Sequence, residues 1–289
     1  MKIYLPLLFV LISFPAYALP ELKVEPAEII QGKQFMVEIT DNTDNLPENM
    51  FIEVNGKKLT MFPLKESKSS KSIAFVTFRG DQKPGDYKIN IISENNEIIL
   101  ESKVKIKAGK FGSQNISFYR PKLTKEQEEQ IKKEDALVEQ AKQIITKEKL
   151  WNSSFMLPVN NSVSAIYGIK RYLNGKYNDY HSGVDFASPY GVPIKAINNG
   201  KVILARYFSR YNTNGNLVFL DHGFGVTSVY LHQSKIAVKE GDFVKKGQII
   251  GYVGSTGRST GPHLHWGLYL NGQNTDGLSW VKFSRTVKY

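Results

Sequence analysis

Short apolar runs cut by turn dipeptides fill most of this chain, and that punctuation restricts it to a mainly β fold. Between residues 19 and 108 the runs 34–39, 51–54, 72–78, 87–92 and 103–106 are all shorter than an ordinary helix. Strands need only about 4–8 residues, whereas helices need roughly ten or more. Asn55-Gly56 separates two runs as a two-residue hairpin, because glycine accepts the positive φ such a turn requires. Pro84-Gly85 breaks the chain again. About six strands in this stretch predict an N-terminal immunoglobulin-like β-sandwich. It contains no histidine and its acids are scattered, so no chemistry is expected there.

The character changes over residues 109–156, a linker carrying a helix at about 124–150 that is rich in Lys, Glu and Gln. Thr124 followed by Gln127 is a capping-box pattern, and Leu137, Ala141, Ile144 and Ile145 fall on one helical face. The expected role is a helical connector between two domains. From 157 to 289 the β pattern returns, with strand candidates at 194–196, 201–207, 216–220, 225–232, 248–253 and 263–270. Asn199-Gly200 and Asn271-Gly272 read as hairpin turns, and the whole as an antiparallel β domain.

Residues 1–18 have the features of a signal peptide: Lys2, an apolar stretch from Ile3 to Ile12, and Ala16-Tyr17-Ala18 as a cleavage site. The apolar stretch falls short of the ~20 residues a spanning helix needs, and Pro6 and Pro15 flank or interrupt it. An exported chain without stable membrane insertion after cleavage is expected. Its formal net charge of +11 favours anionic partners. For an exported protein, acidic cell-wall polymer fits this charge better than nucleic acid, which is not expected as a partner. Cysteine is absent, so no disulfide staples the fold and no thiolate-rich metal site can form.

The chemistry therefore falls to five histidines, all beyond residue 180. His181-Ser182-Gly183-Val184-Asp185 sets an imidazole and a carboxylate four residues apart. His263-Leu264-His265 opens the last strong strand, where residues i and i+2 share a face. His263 and His265 thus project together on the face that continues through Gly267 and Tyr269, while Leu264, Trp266, Leu268 and Leu270 pack the other. The same alternation puts Tyr230 and His232 on one face, opposite Val229 and Leu231. A catalytic Zn²⁺ takes three N or O protein ligands and keeps a position open, and two neutral imidazoles with one carboxylate suit it. His222, within Asp221-His222-Gly223, reads as a turn residue.

These residues, with Tyr167-Gly168-Ile169-Lys170-Arg171, Tyr230-Leu231-His232, and Gly254-Ser255-Thr256-Gly257 leading to Ser259-Thr260-Gly261-Pro262-His263, resemble the zinc metallopeptidases of the lysostaphin/LytM type, peptidase family M23. The resemblance runs from about Ser164 to Leu270. It implies a LytM-type, duplicated-hybrid-like peptidase domain holding one Zn²⁺ per chain through His181, Asp185 and His265. It further implies that His232 and His263 act as catalytic residues, one a general base and the other an electrostatic stabiliser. The implied substrates are peptidoglycan stem peptides and their cross-links, with D,D-endopeptidase cleavage in a periplasm. Gln233 and Trp266-Gly267 depart from the usual pattern, the latter as a change that would widen the groove. Tyr207, Tyr211, Tyr230 and Tyr269 are candidate groove rings, with Arg258 and Lys170 for stem-peptide carboxylates. Two other functions compete. A non-catalytic regulator of a wall amidase would have lost ligands, and all positions are filled here. A lipoyl-like carrier, suggested by the glycine spacing of residues 241–251, has no use for five histidines. The front domain is a candidate intramolecular inhibitor that covers the groove.

Overall fold

The computed structural model describes residues 20–42, 46–47, 49–65, 70–116 and 122–287, so the expected signal peptide lies outside the described residues. The front of the chain forms two sheets. One has four strands in the order Glu21–Glu25, Gln34–Asp41, Ser70–Thr77, Phe62–Lys65. The other has five, ordered Glu28–Ile30, Ile98–Lys107, Gly85–Ile92, Phe51–Val54, Lys57–Thr60. Phe35, Val37, Ile39, Ala74 and Val76 from the first sheet meet Ile52, Ile89, Ile91, Val104 and Ile106 from the second in one buried core. Asn55 and Gly56 both take positive φ, at 50° and 70°, and close the hairpin between Phe51–Val54 and Lys57–Thr60.

The two central strands of the four-stranded sheet, Gln34–Asp41 and Ser70–Thr77, have neighbours on both faces and are almost continuously covered. Strand alternation sends Ala74 and Val76 into the sandwich and sends Ile73 and Phe75 the other way. Those outer residues, with Met36 and Phe62, join Trp151, Phe155, Trp266 and Trp280 of the C-terminal region in a second core. Phe62 stacks on Phe224 with centroids 4.9 Å apart, and Phe75 meets Trp280 edge-on at 5.0 Å. Asn271 Nδ2 donates to Phe75 O at 2.9 Å. The two units are therefore joined through apolar burial rather than hung on a flexible tether.

The C-terminal region contains an eight-stranded sheet whose main path runs Val163–Ala165, Val184–Ala187, His263–Leu270, Val226–Leu231, Leu217–Gly223, Gly200–Arg206, Phe243–Val244, with Gln273–Thr275 paired to His263–Leu270. A three-stranded sheet, Pro193–Lys195, Ile249–Val253 and Gln233–Ile236, packs beside it. Asn271-Gly272 makes the expected hairpin, between His263–Leu270 and Gln273–Thr275. Asn199-Gly200 does not: it joins strands of two different sheets. Asn174-Gly175, with φ of 48° and 82°, instead closes a hairpin between Lys170–Leu173 and Lys176–Tyr180 that the apolar pattern did not reveal. The short helix Gly277–Phe283, capped by Asp276, was likewise not anticipated.

Thr124 and Gln127 form the capping box, and the helix spans Lys125–Lys142, eight residues short of the expected end. Beyond Ile144 the backbone bonds sideways instead of along a helix. Phe224 N donates to Thr146 O, Leu150 N donates to His222 O, and Thr146 Oγ1 donates to Asp221. Ile144 and Ile145 therefore lie exposed, and the buried face is Glu134, Val138 and Ala141. Val138 and Ala141 pack on Leu204, Leu217, Phe219, Val229 and Tyr269 of the large sheet. Among the described residues, no helix is long and apolar enough to cross a membrane. Phe75→Ala should cost about 3–5 kcal/mol as a large-to-small change in a shared core. Urea denaturation followed by fluorescence and circular dichroism should give one coincident transition for both units; two separated transitions would contradict the shared core.

Candidate active site

The strand His263–Leu270 sits in the middle of the large sheet and carries core on one face and polar groups on the other. Leu264, Trp266, Leu268 and Leu270 enter the apolar core, and His263 and His265 project from the reverse face. The neighbouring strand Val184–Ala187 is in a register that puts Asp185 directly across from His265, and Ala187 across from His263. Opposed residues on one face have Cβ atoms only ~5 Å apart, so this pairing alone brings carboxylate and imidazole together. His181 precedes the strand and is fixed by its backbone: His181 N donates to Ile169 O at 2.8 Å, and Gly168 N donates to His181 O at 2.9 Å.

The three side chains converge tightly. Asp185 Oδ1 lies 3.0 Å from His181 Nε2 and 2.7 Å from His265 Nδ1, and the two nitrogens are 3.1 Å apart. His181 Nδ1 lies 2.8 Å from Ile166 O, a group that only accepts, so Nδ1 carries the proton and the neutral ring turns a lone pair inward at Nε2. Burial favours that neutral form by pushing His181 below the usual histidine pKa. Burial opposes the charge on Asp185, but the facing His181 and His265 outweigh it and hold the carboxyl well below its ordinary range. His181 Nε2, with its lone pair inward, thus stands beside Asp185 Oδ1 and His265 Nδ1. These atoms, all within 4.8 Å of one another, form a fitting N,N,O donor set for a divalent metal ion. The carbonyl behind His181 is the kind of outer partner that fixes a ligand's tautomer.

Gly183 makes room for this convergence. A Cβ there would stand 2.5 Å from Trp266 O and 2.7 Å from His265 Nε2. Arg171, on the strand Lys170–Leu173, donates from Nη2 to the second oxygen of Asp185 at 3.3 Å. Sequence reading passed over Arg171 in favour of its exposed neighbour Lys170, although alternation turns the two in opposite directions.

His232 and His263 flank the triad. Their ring centroids are 4.7 Å apart, and His232 is 6.2 Å from His265. His232 does not arrive by strand alternation. Tyr230 points into the apolar core, its hydroxyl accepting from Ile197 N and lying 3.0 Å from Ser228 Oγ. The backbone then turns left-handed at His232, with φ of 62°, and this turn swings the imidazole to the side of His263 and His265. Its Nδ1–H donates to Thr256 O at 2.8 Å. His263 Nδ1–H donates to Gly261 O at 2.9 Å, with Ser259 Oγ 3.2 Å away. Both neutral rings therefore keep an unprotonated Nε2. Burial pushes His232 down to about 3, whereas His263 is only half-buried.

The remaining candidates disperse. Tyr269 is buried beneath the helix Lys125–Lys142 and Tyr230 is core, so neither lines a groove. Tyr207 is 62% exposed and its hydroxyl accepts from Ile236 N. Tyr211 packs with Arg210, and Arg258 and Lys170 lie at the surface. Trp266 is core, so only Gly267 of that departure lies on the face of His263 and His265. His222 is fully buried between Asn199 O and Ser228 Oγ, at 2.7 and 2.8 Å, and burial lowers it to about 4. It braces the core rather than merely ending a turn.

Residues 179–277 match the model of Peptidase family M23. The chain is 42% identical over 99 residues to the DD-carboxypeptidase/endopeptidase Mpg of Neisseria meningitidis, covering 34% of this chain and 22% of that protein. It is 40% identical to the catalytic domain of lysostaphin from Staphylococcus simulans, covering 43% of this chain and 93% of that domain, with a TM-score of 0.38. A crystal structure from Pseudomonas aeruginosa assigned to peptidase M23 aligns over 84% of this chain and 92% of its own, at 28% identity and a TM-score of 0.61. The chain belongs to peptidase family M23. It spans about a fifth of the Neisseria relative, 22% of its length. Gly183→Ala should lower divalent-metal content sharply without unfolding the chain, read by elemental analysis beside circular dichroism; full metal content in the variant would show the space at Gly183 to be dispensable.

Proposed function

We propose that this protein is an exported zinc-dependent peptidoglycan hydrolase that cleaves peptide cross-links, as a D,D-endopeptidase. The observation that carries the reading is the convergence of His181 Nε2, His265 Nδ1 and Asp185 Oδ1, with two more imidazoles whose Nδ1 protons are tied back to carbonyls. The donor set contains nitrogen and oxygen without sulfur, which suits Zn²⁺ in a hydrolytic site. The similarity to DD-carboxypeptidase/endopeptidase Mpg of Neisseria meningitidis and to peptidoglycan DD-endopeptidase ShyB of Vibrio cholerae supports this reading.

Bound zinc would lower the pKa of a water from ~15.7 towards ~7 and offset the negative charge that builds on the scissile carbonyl. The chain's own part is proton handling and orientation. His263 Nε2 takes the proton of the attacking water, since its half-exposed ring can be solvated once charged. His232, buried and resistant to protonation, accepts a hydrogen bond at Nε2 and orients the water or the substrate amide. A role as an imidazolium fits His232 poorly because burial disfavours that charge. The general-acid step to the leaving amine then returns the proton from His263.

Export follows from the features of residues 1–18, and a periplasmic location suits a cross-link-cleaving enzyme of this kind. The front unit acts in this reading as a buttress: Met36, Phe62, Ile73 and Phe75 join the core that Leu264, Trp266, Leu268 and Leu270 enter. A regulator that had lost catalysis would not retain all five polar positions.

His263→Ala should keep its zinc and lose about 10²–10⁴-fold in turnover on purified sacculi, the usual contribution of one acid–base group. Mass spectrometry of the released muropeptides should show cross-linked dimers converted to monomers, and chelation should abolish the reaction. Cleavage that survives complete removal of metal would refute the assignment.

A further inference from the structure

The two oxygens of Asp185 have different neighbours. Oδ1 faces His181 Nε2 and His265 Nδ1, at 3.0 and 2.7 Å, and is the atom that joins the donor set. Oδ2 accepts from Arg171 Nη2 at 3.3 Å, its one side-chain partner among the described residues. Arg171 is itself held firmly. Its strand lies between Lys176–Tyr180, paired antiparallel, and Ser113–Ile116, paired parallel. Lys170 N donates to Gly112 O at 3.0 Å, anchoring the strand at its start. The side chain is largely covered, with 26% of its area exposed.

A cation beside a metal ligand is unfavourable for metal binding on charge alone, since it repels the incoming ion. Its presence calls for a compensating role, and geometry supplies one. A carboxylate can grip a metal through one oxygen or both. With Oδ2 free, a small rotation of the Asp185 carboxyl would bring both oxygens onto the ion and fill a position that a hydrolytic site keeps open. A guanidinium fixed on Oδ2 blocks that rotation.

Resting on the metal-centre reading above, we propose that Arg171 is a positioning residue that keeps Asp185 a one-oxygen ligand and so preserves an open coordination position. Ser113–Ile116 belongs to the segment that links the two units, so this control reaches the metal site from outside the span that matches the family.

Cobalt(II) in place of zinc tests the proposal, because its visible absorption weakens as coordination number rises. In the full chain at complete cobalt occupancy, Arg171→Ala and Arg171→Gln should both show a weaker, shifted band, with turnover lowered roughly 10–100-fold, the usual effect of losing an outer partner. Arg171→Lys, which keeps a donor and the charge, should hold the wild-type band and recover most of the turnover. A wild-type band from folded, fully loaded Arg171→Gln or Arg171→Ala would overturn the proposal. If the wild-type chain itself took up no cobalt or zinc, the metal-centre reading would fail instead, and the two failures are distinct.

Discussion

Everything chemical in this protein depends on the pairing register of one strand, His263–Leu270, with Val184–Ala187. A slip of one residue would turn the whole alternating set over, sending His263 and His265 into the core and Leu264 and Trp266 into water. The register is locked by the apolar face. Leu264, Trp266, Leu268 and Leu270 are all fully covered, and each large side chain buried this way contributes about 1.5–3 kcal/mol. The core thus fixes the site: packing on one side of a strand determines where the donor atoms stand on the other.

Two neighbouring structures brace that arrangement from behind and from the flank. The four-stranded front sheet adds Met36, Phe62, Ile73 and Phe75 to the core under the strand His263–Leu270. Its loop residue Arg79 reaches Asp179 at 3.2 Å and lies over the ring of Tyr180, the residue just before His181. On the flank, Glu134 of the helix Lys125–Lys142 accepts from Ser209 N and Ser209 Oγ, at 2.9 and 3.1 Å. Asp135 accepts from Asn212 Nδ2, and Asn214 O in the same loop accepts from His232 N at 3.1 Å. A helix that reads as a mere spacer is thus linked through one loop to the backbone of a site histidine.

Legibility differed from element to element for identifiable reasons. The strand at 263–270 was readable to the residue because its two faces differ so strongly in polarity. Asn55-Gly56 and Asn271-Gly272 were readable because a local φ requirement governs them. Asn199-Gly200 misled because the same dipeptide can link two sheets, and nothing local distinguishes that from a hairpin. The helix was overextended to 150 because Ile144 and Ile145 fit its periodicity. Tertiary bonds from Phe224 and Leu150 took the backbone elsewhere. Tyr230 and Tyr269 looked available for substrate, yet aromatic rings fill core as readily as grooves, and burial assigned both to packing.

His-x-x-x-Asp and His-x-His, set on β pattern without any cysteine, determined from the sequence alone which donor types were present and that His263 and His265 share a face. Those are consequences of composition and of the two-residue repeat of a strand, which act locally. Only the tertiary structure decided that His181 meets His265 although the two stand 84 positions apart in the chain, that a left-handed turn rather than alternation delivers His232, and that Arg171 occupies the spare oxygen of Asp185. Contacts between distant segments depend on which surfaces the two cores bring together, and no local pattern encodes that choice.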